Sequence, residues 1–382
     1  MKITRIEPIA VALPMKKPVF MAGVEIRQAD NVLVRLESDT GVVGWGEAAS
    51  APTMTGETVE SMMAAIAYII PAVLGRDPQD VAGASAAMNG RMYGNLAAKA
   101  AVEIALHDLV GRATSRPAHA LLGGKLRNRI AVLGVISNGE LAADIRDAAH
   151  KKLEGYEAFK IKVGIDKPLI DAERTRRVCD VLGADGLISS DANTGWSPDE
   201  AVQYVRAIAG SGLTFFEQPV AADDVDGMAR VAAAAGEVAI GADESIHGLE
   251  DIRRHHAHKA ARGVSLKTIK LGGMRGVMAA GRLCEELGMS VNVACKTGES
   301  SIACAAGLHI AAALPQLAWG FTPSIEGLAE DATARPIRIE HGHVEVSDRP
   351  GLGIDVDEDR IRRHRRDVAP RHVAEPVMAR HA

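Results

Sequence analysis

Cysteine is scarce in this sequence, and the little there is forms no pattern. Cys179, Cys284, Cys295 and Cys304 contain no CxxC pair and no zinc-type spacing. That argues against a disulfide scaffold or a thiolate metal site, and predicts free thiols in a reducing compartment. Long apolar runs are missing too. The longest, MMAAIAYIIPAVLG (62–75), is shorter than the roughly 20 residues needed to span a bilayer, and Pro71 interrupts it. The opening MKITRIEPIAVALP alternates apolar and polar residues like a strand and lacks the unbroken apolar core of a signal peptide. Nor is there a basic excess: 44 Lys plus Arg against 49 Asp plus Glu gives −5, which offers no field for nucleic acid phosphates. These absences predict a soluble, cytoplasmic protein that binds neither nucleic acid nor membrane.

What is present is ample core. Hydrophobic residues make up 47% of the 382 and charged residues 24%, enough for two domains or for one large barrel with a smaller partner. Two alternating runs, ITRIEPIAVALP and NVLVRLESDTGVVGWGEAA, read as strands, the second folding into a hairpin at Asp39-Thr40-Gly41. Between them MKKPVFMAGVEIRQAD reads as an irregular loop. Helical patterns follow at 57–74, about 78–90 and 94–113. Strands followed by helices predict a separate α+β domain over residues 1–126.

From residue 127 to 322 the pattern is regular. Apolar segments recur at 130–137, 158–164, 186–193, 213–219, 238–245, 263–273, 289–295 and 317–321, with amphipathic helical stretches between them. One example is SPDEAVQYVRAIAGSG, with Ser197 as N-cap and Pro198 in the first turn. Eight strands alternating with seven helices predict an α/β fold, a (β/α)7β TIM-like barrel. Strand counting alone leaves an open doubly wound sheet as the alternative. The segment 323–382 returns to a strand pattern and predicts a fold-back onto the N-terminal domain, making one discontinuous capping domain. Its basic end, RIRRHRRDVAPRHVAEPVMARHA, reads as a solvated tail.

In such barrels the reactive residues stand at the C-terminal ends of strands. Asp191, Glu217 and Asp243 end the third, fourth and fifth strands at steps of 26 residues, one β/α unit each, so they converge. Three crowded carboxylates need a compensating cation, and an all-oxygen trio suits Mg²⁺, with Mn²⁺ as a substitute. Asn193, Gln218 and Glu244, adjacent at the same ends, read as partners that orient the ligands.

Two lysines in one strand pose the sharper question. Lys160 and Lys162 in AFKIKVG share a face, and Lys267 lies on the sixth strand, across the ring. A substrate on the metal would sit between two amines. A neighbouring cation and burial lower an ammonium pKa, so Lys160 is expected to tune Lys162 as a base. Metal binding to a substrate carboxylate stabilises the enediolate formed when the α-proton leaves. Lys270, three residues past Lys267, faces away by strand alternation and reads as structural.

Together these residues resemble the enolase superfamily, specifically its muconate lactonizing enzyme subgroup. The resemblance spans nearly the whole chain and implies a cap whose mobile loop, here KKPVFMAGVEIRQAD, closes over the barrel mouth. It implies that Lys162 and Lys267 are the acid/base lysines, Lys160 their modulator, and Asp191, Glu217 and Asp243 the Mg²⁺ ligands. No histidine ends MSVNVAC, which disfavours the mandelate racemase branch.

Within the subgroup the substrate is a small carboxylate. The expected activity is a muconate cycloisomerase-type lactonization. The alternatives are a racemase, epimerase or dehydratase of an amino acid or hydroxyproline-type derivative, and more distantly a catalytically silent protein that binds a small acid. AWGFTPSIEG lacks the Asp-x-Asp expected of dipeptide epimerases. The loop ACKTGESS (294–301) resembles the family's Glu-containing loop at Glu299 but carries Lys296 and Thr297 where apolar residues are usual. Lys296 either snorkels to solvent or pairs with a second substrate carboxylate or a leaving group. Glu47 reads as a loop hydrogen-bonder, Ser137 as a substrate contact or N-cap, and His309 as a packed helix residue. A closed homo-oligomer is the default assembly.

Overall fold

The computed structural model describes residues 1–21, 24–183 and 185–366. The alternating N-terminal runs form strands Ile3–Met21, Val24–Ser38 and Val43–Ala49, paired antiparallel in that order. The segment expected to be an irregular loop is therefore largely a two-stranded ribbon: Leu13 pairs with Ala29 and Val19 with Ile26, with a register shift between Pro14 and Val19. Cross-strand pairing satisfies main-chain groups that a loop would leave to water. Residues 22 and 23 of that segment lie outside the described residues.

Helices Val59–Val73, Val81–Arg91 and Leu96–Ala113 cover this sheet. Thr58 and Ser61 exchange backbone and side-chain bonds in a capping box that starts the first of them. Pro71 falls in its last turn and does not end it. Val34, Leu36, Met62, Ile66 and Leu106 are buried together between helices and sheet.

The second unit has eight parallel strands in chain order: Leu133–Ile136, Ala158–Lys162, Leu187–Asp191, Phe215–Glu217, Ala239–Ala242, Gly263–Leu266, Ser290–Ala294 and Phe321–Thr322. A parallel bridge from Val132 to Phe321 joins last to first, so the sheet is a barrel and not an open sheet. The predicted first strand, 130–137, is split. Arg129–Ala131 pairs antiparallel with His343–Glu345, and only Leu133–Ile136 enters the ring. Among the described residues no α-helix follows the eighth strand before Glu358–His364, and the returning segment pairs beside this seam through His343–Glu345.

Below the strand ends the barrel is closed by a stacked pair, Phe215 and Trp319, with ring centroids 4.1 Å apart. Gly263 makes room for it, since a Cβ there would stand 2.4 Å from the Trp319 ring. Alternate inward positions place this apolar layer under a polar one.

The C-terminal segment packs on the N-terminal helices, with the Leu352 N–H donating to Asp108 at 2.8 Å and Arg112 to the Ile354 carbonyl at 3.0 Å. The basic end is not wholly a solvated tail. Asp357 caps a helix over Glu358–His364, and Arg366 pairs with Asp30 at 2.5 Å and Glu60 at 3.1 Å. Asp30 and Glu60 on the N-terminal unit thus hold Arg366 by charge; residues 367–382 lie outside the described residues. Among the described residues no helix is long and apolar enough to cross a membrane, and all four cysteines are free and buried.

Candidate active site

Strand register sets the site. Lys162 is level with Asp191, and Asp191 with Glu217. Glu217 is level with Gly241, so Asp243 stands two residues higher on the same inward face. Lys267 likewise continues the parity of Ser265, and Lys296 that of Asn292 and Ala294. Lys267 is not within its strand: it follows Leu266 and precedes a short helix, Thr268–Leu271.

The amines divide the carboxylates among them. Lys160 donates to Glu217 at 2.7 Å and lies 3.9 Å from Asp191; Lys162 donates to Asp191 at 2.6 Å and to the Asn193 amide oxygen at 2.7 Å. Lys267 pairs with Asp243 from the other side. Lys270 does not face away as strand alternation predicted. The chain turns helical after Lys267, which brings the Lys270 ammonium back to the Asp243 carboxylate at 2.6 Å and to the Ser265 carbonyl at 3.0 Å.

Burial alone would lower the Lys160 ammonium, but Glu217 and Asp191 outweigh it and hold the group above its ordinary range. Lys267 is raised in the same way, with Asp243 overcoming burial, while burial dominates at Lys270 and lowers it. The same lysines hold Asp243 well below the carboxylate range against its burial.

Supporting residues lock the strand ends. Asn193 and Gln218 adopt left-handed backbone, φ 43° and 35°, each at a cost of about 1 kcal/mol. Asn193 then donates to Glu244 at 2.9 Å, and the Gln218 amide oxygen accepts from the Asp243 N–H at 2.9 Å and the Ser245 hydroxyl at 2.9 Å. Glu244 is pushed up to about 7 by burial and by the charges of Asp243 and Asp191. Behind Lys162, Arg174 donates to the Lys162 carbonyl and to Asp171, both at 2.7 Å, and pairs with Asp144. No local motif marks Arg174, so sequence reasoning passed over it.

Lys296 does not snorkel. It is 5% exposed, reaches the Thr297 carbonyl at 3.5 Å, and makes no ion pair among the described residues. Burial, then the charge of Lys267, lowers its ammonium to about 8, and Lys162, Glu244 and Glu299 also act on it. Glu299 accepts the Lys296 N–H at 2.8 Å, leaves Oε1 without a partner, and is pushed up to about 8 by burial and by Glu47. Ser137 is exposed, and Glu140 caps the helix that follows it. His309 is packed, accepting the His119 N–H at 3.3 Å.

Among the described residues no three acidic, histidine or cysteine side chains form a ready-made ligand cluster, because each carboxylate is turned onto a lysine. The donor set still fits a hard divalent cation: three buried carboxylates on one inward face at the ends of three adjacent strands, with the buried Glu217 Oε1 unpartnered among the described residues.

Comparison with known proteins places this geometry. Residues 4–123 match the N-terminal domain of mandelate racemase/muconate lactonizing enzymes, and residues 141–360 match the enolase C-terminal domain-like family. The chloromuconate cycloisomerase CbnB of Cupriavidus necator is 31% identical over 96% of this chain and all of its own length. An N-succinyl-L-Arg/Lys racemase of Bacillus cereus is 29% identical over 94% of this chain and 97% of its own. The structure of 2-chloromuconate cycloisomerase from Rhodococcus opacus superposes with a TM-score of 0.91 at 31% identity, covering 96% of this chain and 100% of that one. Fold, strand-end residues and full-length similarity agree: this chain is an enzyme of the enolase superfamily, in its muconate lactonizing enzyme subgroup.

Proposed function

We propose that the enzyme is a cycloisomerase of the muconate lactonizing type, acting on a dicarboxylate. The observation that carries this reading is Lys296, a buried cation with no carboxylate ion-pair partner among the described residues, beside a pair of lysines flanking three carboxylates. Asp191, Glu217 and Asp243 would hold Mg²⁺, which supplies positive charge against a substrate carboxylate and relieves the lysines of their counter-charges.

Lys162 and Lys267 stand at the two ends of the carboxylate row and address opposite faces of a carbon placed between them. In the lactonizing direction one substrate carboxylate oxygen bonds to the alkene carbon β to the other carboxylate. The π electrons shift toward that second carboxylate, and one of the two lysines delivers a proton to its α-carbon, later recovering a proton from water. Lys160, deeper and paired with Glu217, holds the row in place. Lys296 receives the substrate carboxylate distal to the proton transfer, and the Phe215–Trp319 layer closes the chamber from below.

Loss of cis,cis-muconate absorbance with Mg²⁺ tests the proposal. Metal-dependent loss is expected in the parent and not in Lys267→Ala. Lys296→Met should raise KM by about tenfold or more, as expected for one lost charge-assisted contact. Absence of turnover in the parent rejects lactonization.

The opposed lysines also favour a second reading, racemization of an N-acylated amino acid, since one base can remove the α-proton and the other return it to the opposite face. Exchange of the α-proton of an N-succinyl amino acid in D₂O, without loss of muconate, would select it.

A further inference from the structure

The loop that carries Lys296 is held from outside the barrel. Glu47, on cap strand Val43–Ala49, reaches the turn after the seventh barrel strand and is fully buried. Its carboxylate accepts from the Ser300 N–H at 2.9 Å, the Ser300 hydroxyl at 2.7 Å and the Ala303 N–H at 3.0 Å. Asn31 on the adjacent cap strand ties Glu47 to the same turn, donating to the Glu47 carboxylate at 2.7 Å and to the Gly298 carbonyl at 2.8 Å. Gly298, at φ 93°, lies so close to that strand that a Cβ on it would stand 2.8 Å from the Ala29 Cβ. On the other flank Asp331 accepts from the Ser301 N–H and hydroxyl, both at 2.9 Å, and the Ser324 hydroxyl donates to the Glu299 carbonyl at 2.6 Å.

Two buried carboxylates thus occupy the start of helix Ser301–Ala313, where N–H groups and the helix dipole favour an anion. One comes from the N-terminal cap and one from the C-terminal segment. The helix start is consequently filled by the protein itself, and what the arrangement fixes is the turn from Lys296 to Ser300. Within that turn the Glu299 carboxylate accepts the Lys296 N–H and the Glu299 N–H donates to the Lys296 carbonyl at 3.0 Å, so the Lys296 backbone moves with it.

We propose that Glu47 is a positioning residue of the active site: through Ser300 and Ala303 it sets where Lys296 stands, and so which distal substrate group the enzyme accepts. The cap thereby contributes to specificity through a strand fixed on the barrel, independent of any contact between Glu47 and substrate. The specificity clause rests on the reading of Lys296 given above; the positioning clause does not.

Acylation of Lys296 by acetic anhydride, followed by peptide mass spectrometry across a pH series, reads its environment without substrate. Lys267, Lys162, Glu299 and Glu244 are the charged groups facing it; Glu47→Gln removes a charge that raises Glu299, whereas Asn31→Ala keeps that charge, so a shift in Asn31→Ala is the one that separates position from electrostatics. In the parent the acylation midpoint should lie near 8; in Glu47→Gln, and in the milder Asn31→Ala, it should rise by about one unit toward an exposed lysine. An unchanged midpoint in both folded variants overturns the proposal. With cis,cis-muconate, Glu47→Gln should raise KM on the order of tenfold with kcat within about twofold, and Glu47→Gln/Lys296→Met should be no worse than Lys296→Met alone. Independent, multiplying losses would mean that Glu47 does not act through Lys296. A parent inactive on muconate defeats the lactonization reading alone, and the acylation profile then decides the positioning role by itself.

Discussion

Asp243 shows how much one side chain can gather. It meets Lys267 on one oxygen and Lys270 on the other, and its own N–H is held by Gln218. Such a cluster is stable only while its charges balance, because an unpaired ion in a buried setting costs several kcal/mol. Of the two proposed acid/base lysines Lys162 is the less constrained, a quarter exposed in its side chain, whereas Lys267 belongs to this cluster. Lys162→Ala and Lys267→Ala are each expected to cut turnover by about 10²–10⁴-fold, the usual contribution of one acid/base group. Circular dichroism of Lys162→Ala should remain that of the parent. Full activity in either variant would remove it from the chemistry. For the proposed metal ligands, Glu217→Gln should weaken Mg²⁺ binding in a direct titration while leaving the strand register intact, and parental affinity would exclude Glu217 as a ligand. At this scale most of the site was legible before folding, because 26-residue steps and period-two spacing translate directly into strand-end positions. Lys270 was not, since its direction depends on where a strand stops, and propensity does not announce that Thr268–Leu271 turns helical.

Among the elements, the seventh barrel strand with its loop and helix holds the most information beyond motif. Ser300 and Ser301 look like ordinary N-cap residues, and only the fold brings Glu47 and Asp331 to them. The barrel floor is another property of elements in register. Gly263 faces Trp319 so closely that Gly263→Ala should overpack the layer and cost about 1–3 kcal/mol in denaturant unfolding. A neutral result would mean that the stacked pair yields readily. The split of the first strand has its cause in a long-range antiparallel partner, His343–Glu345, which no local window contains.

The molecule as a whole should carry an uncommon pH signature. Glu47 and Glu299 rise from an ordinary 4.5 to about 7 and about 8, both chiefly through burial. The folded chain therefore keeps protons that the unfolded chain releases, so stability is fullest near or below pH 4.5 for these two groups and is lost as pH climbs through 7 and 8. Lys296, lowered from 10.5 to about 8, acts in the opposite sense above that range. Thermal unfolding followed from about pH 7 to about pH 8, above the range where the lowered His119, His247, His255 and His309 add stability with rising pH, should show a falling Tm, and Glu299→Gln should flatten part of the fall. An identical slope in Glu299→Gln would assign the decline to other groups.

By itself the sequence determined the α/β alternation, the eight-strand count and the residues at the strand ends, because side-chain periodicity and unit spacing are local and additive. Only the tertiary structure decided that the ring closes at Val132 and Phe321, that Arg366 of the basic end packs on Asp30 and Glu60, that Lys270 turns inward, and that Lys296 is buried on a loop held by the cap. Each of those depends on a partner far along the chain, and the free energy that selects it comes from burial and pairing that exist only once the two units have met.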